Sequence, residues 1–225
     1  MKYRAAILIV LLVILVDQVS KFYVKTHFFY GEEIRVLGSW FRLHFIENEG
    51  MAFGMRLGEA ATGKLVLTLF RLVAVVFGFF LLKKLVVKKY TRGLIICGAL
   101  VLAGACGNLI DSMFYGLIFT DSPYCVHYSA ACETARLVAP GQGYGQFLYG
   151  KVVDMLYFPL IETRLPEWVP FRGGETFEFF EPVFNIADAA ISVGVLVLVF
   201  FQKKLVRKQE EVAATAAGDR TAEAE

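Results

Sequence analysis

Gly104-Ala-Cys-Gly-Asn-Leu-Ile-Asp111 is a polar cluster inside an apolar run that extends from Leu94 to Ile118. A run of this length can cross the hydrocarbon core of a bilayer as a helix. An Asn or Asp is costly in hydrocarbon, and such a residue inside a span indicates a functional site with a partner. Asn108 and Asp111 are three positions apart, so they share one helix face. The stretch therefore predicts a membrane helix that carries part of a functional site.

The same Asn-x-x-Asp spacing recurs where the last apolar run begins. Asn185 and Asp188 lie within Phe184-Asn-Ile-Ala-Asp188. We therefore expect two helices that each direct an amide and a carboxyl group towards one place.

Composition is typical of an integral membrane protein. Hydrophobic residues make up 57% of the 225 positions, and the mean hydropathy is +0.57. Four apolar runs approach the length of a span, at about 5–24, 65–87, 94–118 and 185–201. They leave two outer segments, 25–64 and 119–184. We predict one four-span domain over 1–208 and a disordered cytoplasmic tail over 209–225, which is rich in Ala and Glu.

Basic residues predict the orientation. They precede the first span, surround the link between the second and third, and follow the fourth: Lys2, Arg4, Lys83, Lys84, Lys88, Lys89, Arg92, Lys203, Lys204, Arg207 and Lys208. The positive-inside rule assigns this side to the cytoplasm, with both termini inside. The first apolar run is followed by Asp17 and Lys21 rather than by a small-residue cleavage site, so we interpret it as a retained span.

The outer segments contain strand-like stretches. Phe41–Phe45 alternates apolar and polar residues, and Ile34–Val36 can pair with it through the turn at 37–39. Lys151–Phe158 is a third such stretch, with Asp154 inside an otherwise apolar run. Backbone groups beside a bilayer must be paired, which predicts a small sheet on the membrane surface.

Several polar residues allow two interpretations. Asp17 and Lys21 are four apart on one helix face and form either a structural ion pair or a site where Lys21 holds a substrate head group or orients a loop. Arg71, inside the second span, either reaches the outer head groups or pairs with a carboxylate in the bundle. Asn48 and Gly50 belong to a stretch that is either a plain returning loop or a close approach to a ligand.

Neither the cysteines nor the histidines indicate a metal site. Cys125 and Cys132 form either a disulfide or two free thiols in the second outer segment, and their spacing is unlike that of metal ligands. The three histidines, His27, His44 and His127, are scattered. We therefore expect neither a metal nor another cofactor.

The remaining chemistry lies in the carboxyl groups near one face of the membrane: Asp17, Asp111, Asp154 and Asp188. Two carboxyl groups held about 3 Å apart share one proton. The ionised member accepts a proton from the attacking water, and the protonated member donates to the developing oxyanion. An ion- or proton-coupled carrier is the alternative, because intramembrane carboxyls also occur there. A non-catalytic lipid-binding or assembly protein is a third.

Five motifs occur in order and together resemble one enzyme family. They are Asp17-x-x-x-Lys21, Asn48-x-Gly50-x-Ala-Phe53, Gly104-Ala-x-Gly-Asn-Leu-Ile-Asp111, Val152-Val-Asp154 and Phe184-Asn-x-Ala-Asp188. The chain is similar over about 5–206 to the lipoprotein signal peptidases, or signal peptidase II. The resemblance implies four membrane helices with an extracytoplasmic β-cradle in the bacterial inner membrane and an active site near the outer face.

The resemblance also implies an activity. The family's aspartyl endopeptidases remove the signal peptide from diacylglyceryl-modified prolipoproteins before the lipidated Cys, and the cyclic peptide globomycin inhibits them. The expected partners are these substrates and membrane lipids, without nucleic acid, and we expect a monomer.

Carried over residue by residue, Asp154 and Asp188 correspond to the catalytic pair. The positions that match supporting residues are Asn108, Asp111, Asn185, Asp17, Lys21 and Asn48. Ser112 and Glu47 stand where the family usually has Arg, and the stretch between Asp111 and Asp154 is longer than in the common form. We therefore hypothesise that Arg71 supplies the missing basic partner.

Overall fold

A computed structural model describes residues 1–38, 40–49, 60–123, 125, 132–159, 161–164, 174, 176–179 and 183–206. Four helices in this part of the chain are long and apolar enough to cross a membrane, at Tyr3–His27, Thr62–Val87, Arg92–Ile118 and Ile186–Leu205. The described residues divide into two compact units, which we describe in turn.

The described residues of the helical unit are 1–18, 60–110 and 186–206. It contains the first part of α1 (Tyr3–His27), then α2 (Ala60–Val87), α3 (Arg92–Ile110) and α5 (Ile186–Leu205). The helices are apolar on most faces, as expected for spans whose outer surface contacts lipid. Exposed side chains such as Phe70, Phe80 and Phe200 are consistent with that environment.

Small residues bring α3 close to its neighbours. Ala99 and Ala103 are buried on α3, as is Gly107. A Cβ atom on Gly194 of α5 would lie 2.9 Å from the carbonyl oxygen of Cys97, so only a glycine fits that approach. This agrees with the close helix packing expected from the spacing of Ala99, Ala103 and Gly107.

The second unit, the sheet unit, contains the described residues within 19–49 and 111–185. It includes the last part of α1, a π-helix at Asp111–Tyr115, and the turn α4 (Gly116–Ile118). Its strands are β1 (Glu33–Leu37), β2 (Phe41–Asn48), β3 (Val152–Tyr157), β4 (Ile161–Arg164), β5 (Thr176–Phe179) and β6 (Val183–Phe184). One antiparallel sheet has the order β1-β2-β3-β6, and β4 pairs with β5.

The core of the sheet unit joins the end of α1 to the strands. Its buried members are Val24, Phe28, Phe45, Tyr115, Phe119, Val153 and Met155. Phe22 adds ring contacts, with centroids 5.6 Å from Tyr115 and 4.9 Å from Phe119. Phe119 lies at the start of the long outer segment, so that segment contributes to the core.

The predicted fold class is confirmed: four helices that can span a membrane accompany a small antiparallel sheet. The predicted hairpin of 34–36 with 41–45 is β1 with β2, and the stretch with Asp154 is β3. Helix α2 begins at Ala60, before the predicted 65, and α1 continues to His27, beyond the predicted 24. The predicted tail, 209–225, lies outside the described residues.

Candidate functional site

An amide–carboxylate pair joins two helices of the helical unit. Asn108 Nδ2 donates a hydrogen bond of 2.7 Å to Asp188 Oδ1. Asn108 is buried near the end of α3, and Asp188 is half-buried in the first turn of α5. A carboxylate in a first helical turn is favoured by the helix dipole. The two predicted Asn-x-x-Asp motifs are therefore linked through the amide of the first and the carboxylate of the second.

The start of α5 is held by close contacts with α1 and α3. Asp17 Oδ1 accepts a hydrogen bond of 2.9 Å from the N–H of Ala187, one of the backbone donors that a helix start leaves without an intrahelical partner. A Cβ atom on Gly107 would lie 2.6 Å from Asp17 Oδ2, and one on Gly104 would collide with the carbonyl oxygen of Ala187. These contacts fix the helix turn that carries Asp188.

A second amide–carboxylate pair lies in the sheet unit. Asn185 Nδ2 donates to Asp154 Oδ1 at 2.7 Å and to the carbonyl oxygen of Val153 at 3.3 Å. Asn185 is completely buried and Asp154 is 2% exposed. A buried carboxyl group on a strand needs such partners. The strand and the residue that precedes α5 are thereby joined at Asp154.

Asp111 anchors the same strand through a salt bridge. Lys21 Nζ lies 2.7 Å from Asp111 Oδ2, and both side chains are completely buried. The N–H of Val153 donates to the same oxygen at 3.5 Å. A Cβ atom on Gly150 would collide with the carbonyl oxygen of Asp111, so the chain approaches the π-helix closely just before β3. Asp111 therefore binds the backbone of β3 at Val153, the residue before Asp154.

A cluster of charges surrounds Glu47 at the end of β2. Lys25 Nζ pairs with Glu47 Oε1, to which Ser122 Oγ also donates at 2.8 Å. Lys151 Nζ lies 3.2 Å from Glu47 Oε2 and donates to Asp121 Oδ1 at 2.9 Å. Lys25 is completely buried and the Glu47 side chain is 2% exposed. Two lysines and two carboxylates thus form one network.

Tyr144 lies beside the two lysines of this network. Lys25 Nζ is 5.1 Å and Lys151 Nζ is 5.2 Å from the centre of its ring. Burial raises the pKa of Tyr144 above its usual range. Burial alone would lower the pKa of Lys151, but its hydrogen bond to Asp121 and the charge on Glu47 outweigh burial and raise it. Burial would raise the pKa of Asp121, and Lys151 outweighs it and lowers that pKa.

The other predicted residues have separate positions. Asn48 is the last residue of β2 and is paired in register with Val152. Arg71 is half-buried on α2, and its pairing with a carboxylate stays a prediction. Gly50 lies outside the described residues. Cys125 and Cys132 are joined by a disulfide, with 5.7 Å between their Cα atoms, which decides between the two alternatives left open by the sequence.

Lys25, Ser122, Tyr144 and Lys151 were not among the predicted site residues. Lys25 follows Lys21 by four positions, so the spacing that links Asp17 to Lys21 extends to it. Glu47 was noted only because it stands where the family usually has Arg. The sequence signal for this network was Glu47 directly before Asn48, together with Lys25 one helical turn after Lys21.

Comparison with known proteins agrees with this architecture. The family model described as signal peptidase (SPase) II matches residues 9–203. A lipoprotein signal peptidase of Porphyromonas gingivalis is 48% identical over 198 residues, which cover 88% of this chain and 81% of that protein. A lipoprotein signal peptidase of Amoebophilus asiaticus is 35% identical over 203 residues, which cover 89% and 78%.

Solved structures support the fold. A bacterial membrane enzyme is matched with a TM-score of 0.53 at 23% identity, over 92% of this chain and 93% of that one. A second such structure gives a TM-score of 0.53 at 24% identity, over 89% and 93%.

Membrane helices, buried carboxylates and these matches define a membrane protease. The chain belongs to the signal peptidase II family. This membership decides against the carrier and the assembly protein, which the sequence alone had left open.

Proposed function

We propose that this chain cleaves the signal peptide from diacylglyceryl-modified prolipoproteins before the lipidated Cys, with Asp154 and Asp188 as its catalytic pair. The observation that carries the proposal is that each carboxylate accepts a 2.7 Å hydrogen bond from an Asn side chain. These bonds orient both carboxyl groups. The family membership supplies the class of reaction.

In the proposed mechanism the two carboxyl groups share one proton and act as a coupled pair. The ionised group takes a proton from water while the water oxygen bonds to the scissile carbonyl carbon. The protonated group donates its proton to the carbonyl oxygen. Collapse of the tetrahedral intermediate breaks the C–N bond, and a proton passes to the leaving amine. None of these steps needs a cofactor.

An apolar groove in the helical unit supports recognition of a lipidated substrate. It has a volume of about 380 Å³. Its lining comes from α1, α3 and α5: Leu12, Val13, Val16, Leu100, Ile186, Ala189, Ala190 and Val193. We propose that an acyl chain or the apolar signal segment binds in this groove. One of its lining residues, Ala189, directly follows Asp188 in α5. Each buried CH₂ group contributes about 0.8 kcal/mol, so lipid contributes strongly to affinity.

We further propose the inner-membrane orientation predicted from charge, with both termini cytoplasmic and the pair near the outer face. Basic residues flank the ends of the spans that would then be inside. Labelling of single introduced cysteines in intact cells with an impermeant thiol reagent, in a variant without the native cysteines, tests this. A residue of the 83–92 link that is labelled from outside would contradict it.

Cleavage of a diacylglyceryl-modified prolipoprotein by the purified chain tests the function. Native protein is compared with Asp154→Asn and Asp188→Asn at equal folded amounts. Asp219→Asn is the matched control, because it makes the same chemical change beyond the residues that the family model matches. Cleavage by native protein and control, with a loss of at least about a thousandfold in both other variants, is expected because the dyad acts as a unit.

Each other outcome has a definite meaning. Cleavage retained by either variant breaks the assignment of the pair. Cleavage of the unmodified precursor as rapidly as the lipidated one contradicts recognition through lipid. Globomycin should inhibit the native chain, and activity that persists at saturating globomycin would remove that expected family property.

A further inference from the structure

We propose that Glu47 is a positioning residue: with Lys25 and Lys151 it fastens the 119–151 segment behind strand β3 and so fixes Asp154. This inference rests on the proposed function, because it assigns Asp154 to catalysis. The structural part of the proposal is that Glu47 holds β3 in place, and amide hydrogen exchange tests it without an activity measurement.

Glu47 is the centre of the network because it touches both lysines. Lys25 contacts one of its oxygens and Lys151 the other, while Ser122 donates to the first. A carboxylate and an ammonium group buried this deeply are tolerated only when they are paired and hydrogen-bonded. Lys25 comes from α1, whereas Ser122 and Lys151 come from the two ends of the 119–151 segment. Glu47 therefore joins three separate parts of the chain.

The end of the 119–151 segment is also held by hydrogen bonds. Tyr144 Oη accepts a hydrogen bond of 2.7 Å from the N–H of Lys151, and the Tyr144 ring lies close to the ammonium groups of Lys25 and Lys151. The N–H of Gly150 donates to the carbonyl oxygen of Ser112 at 2.8 Å. These hydrogen bonds thus fix the backbone of the last residues before β3. Loss of the Glu47 charge would remove the salt bridge of Lys151 to β2 and leave its salt bridge to Asp121 within the outer segment.

Strand register shows how the network acts on Asp154 without touching it. Glu47 is paired with Val153, and Ile46 is paired with Asp154. Because side chains alternate between the two faces of a sheet, Glu47 lies on the face opposite that of Asp154. The network therefore supports β3 from behind, and Lys151 precedes Asp154 by only three residues. Glu47 can influence the reaction through the position of the strand, but not by contact with a substrate bound at Asp154.

The first test is Glu47→Gln, which keeps the side-chain shape and removes the charge. Its control is Glu33→Gln, which removes a carboxylate from the same sheet. Glu33 lies on the edge strand β1 and forms a salt bridge with Arg42 of β2. At equal folded amounts we expect Glu47→Gln to lower kcat at least about tenfold, because small displacements of catalytic groups are costly. KM should change less than twofold, and Glu33→Gln should match native protein in both.

The second test separates positioning from stability. In Glu47→Gln/Lys25→Met both members of a buried pair are replaced by neutral groups, which can restore stability. We expect the double variant to recover thermal stability relative to Glu47→Gln while kcat stays low, because Lys151 still lacks its Glu47 contact. Recovery of kcat together with stability would show a merely structural role and overturn the proposal.

Amide hydrogen exchange gives the readout that does not need activity. Peptides that cover 152–157 should exchange at least about tenfold faster in Glu47→Gln than in native protein, and at the native rate in Glu33→Gln. Unchanged exchange in β3 overturns the proposal whatever the activity shows. If the native chain fails to cleave its substrate, the proposed function fails, and faster exchange would still establish that Glu47 holds the strand.

Discussion

The two Asn–Asp pairs have the same hydrogen-bond length and different supports. Asn108 and Asp188 lie on two helices, whereas Asp154 lies on a strand and Asn185 precedes a helix. The helical pair depends on close backbone approach, with glycine where a side chain would strike Ala187. The strand pair depends on buried charge, because Asp111 binds the backbone of β3 and is itself paired with Lys21.

This difference shows that the same local geometry can be supported in two ways. Close packing is steric and does not itself depend on pH or salt, although the hydrogen bond from the Ala187 N–H to Asp17 adds a polar contact to it. A buried ion pair needs both partners, and the loss of one leaves a desolvated charge. Substitutions of similar size should therefore have larger effects around Asp154 than around Asp188.

The largest expected effect is that of Lys21→Met, which removes the cation beside the fully buried Asp111. The expected loss of unfolding free energy is about 3–5 kcal/mol, typical of a broken buried pair. Denaturation in detergent measures it. The double variant Lys21→Met/Asp111→Leu should recover most of that loss, and a single variant as stable as native protein would contradict the charged support of β3.

Removal of the two amides compares the pairs directly. Asn185→Ala loses two hydrogen bonds and leaves a cavity at a completely buried position. Asn108→Ala loses its bond to the half-buried Asp188. Both should slow cleavage, and Asn185→Ala should cost about 2–3 kcal/mol of stability, more than Asn108→Ala. Equal losses in thermal unfolding would remove the proposed difference between the supports.

Gly104→Ala tests the steric support. The added methyl group would collide with the carbonyl oxygen of Ala187, with an expected cost of about 1–3 kcal/mol. Gly98→Ala is the control on the same helix, because its Cβ atom would lie 3.5 Å from Leu85 Cδ1 in ordinary contact. It should be neutral or stabilising by up to about 1 kcal/mol. A tolerated Gly104→Ala would show that α5 can move.

The smallest effect concerns His44 in the sheet unit. Burial lowers the pKa of His44 below 6.5, although Glu33 acts in the opposite direction. The unfolded chain then binds more protons, so the contribution of His44 to stability is complete above about pH 6.5 and falls as the pH drops towards the folded pKa. His44→Gln should flatten the dependence of stability on pH in the range just below about pH 6.5. An identical pH profile would exclude this contribution.

Much of the fold could be predicted from the sequence because its signals are local. Apolar run length predicts the spans, and alternation predicts β2 against β1. Asp154 stood out as an acid in an apolar strand. The order of five motifs predicted the family, which the comparisons confirm.

The partners in the site could not be predicted because they depend on tertiary approach. The spacing of Asn108 and Asp111 suggested a shared role, but Asn108 contacts Asp188 and Asp111 contacts Lys21. The partner of Glu47 could not be predicted either, since Lys25 and Lys151 are distant from it in sequence. Sequence periodicity identifies the face of a helix or strand on which a residue lies. It does not identify which residues of another element contact that face.

The burial of Phe119 and the contacts of Tyr144 tie parts of the long outer segment to the interior of the sheet unit. It cannot be treated as an exchangeable module. A chimera that receives this segment in place of a shorter one would also need Lys25 and Glu47 on the recipient's helix and strand. We expect natural relatives that have or lack the segment to differ at those two positions as well.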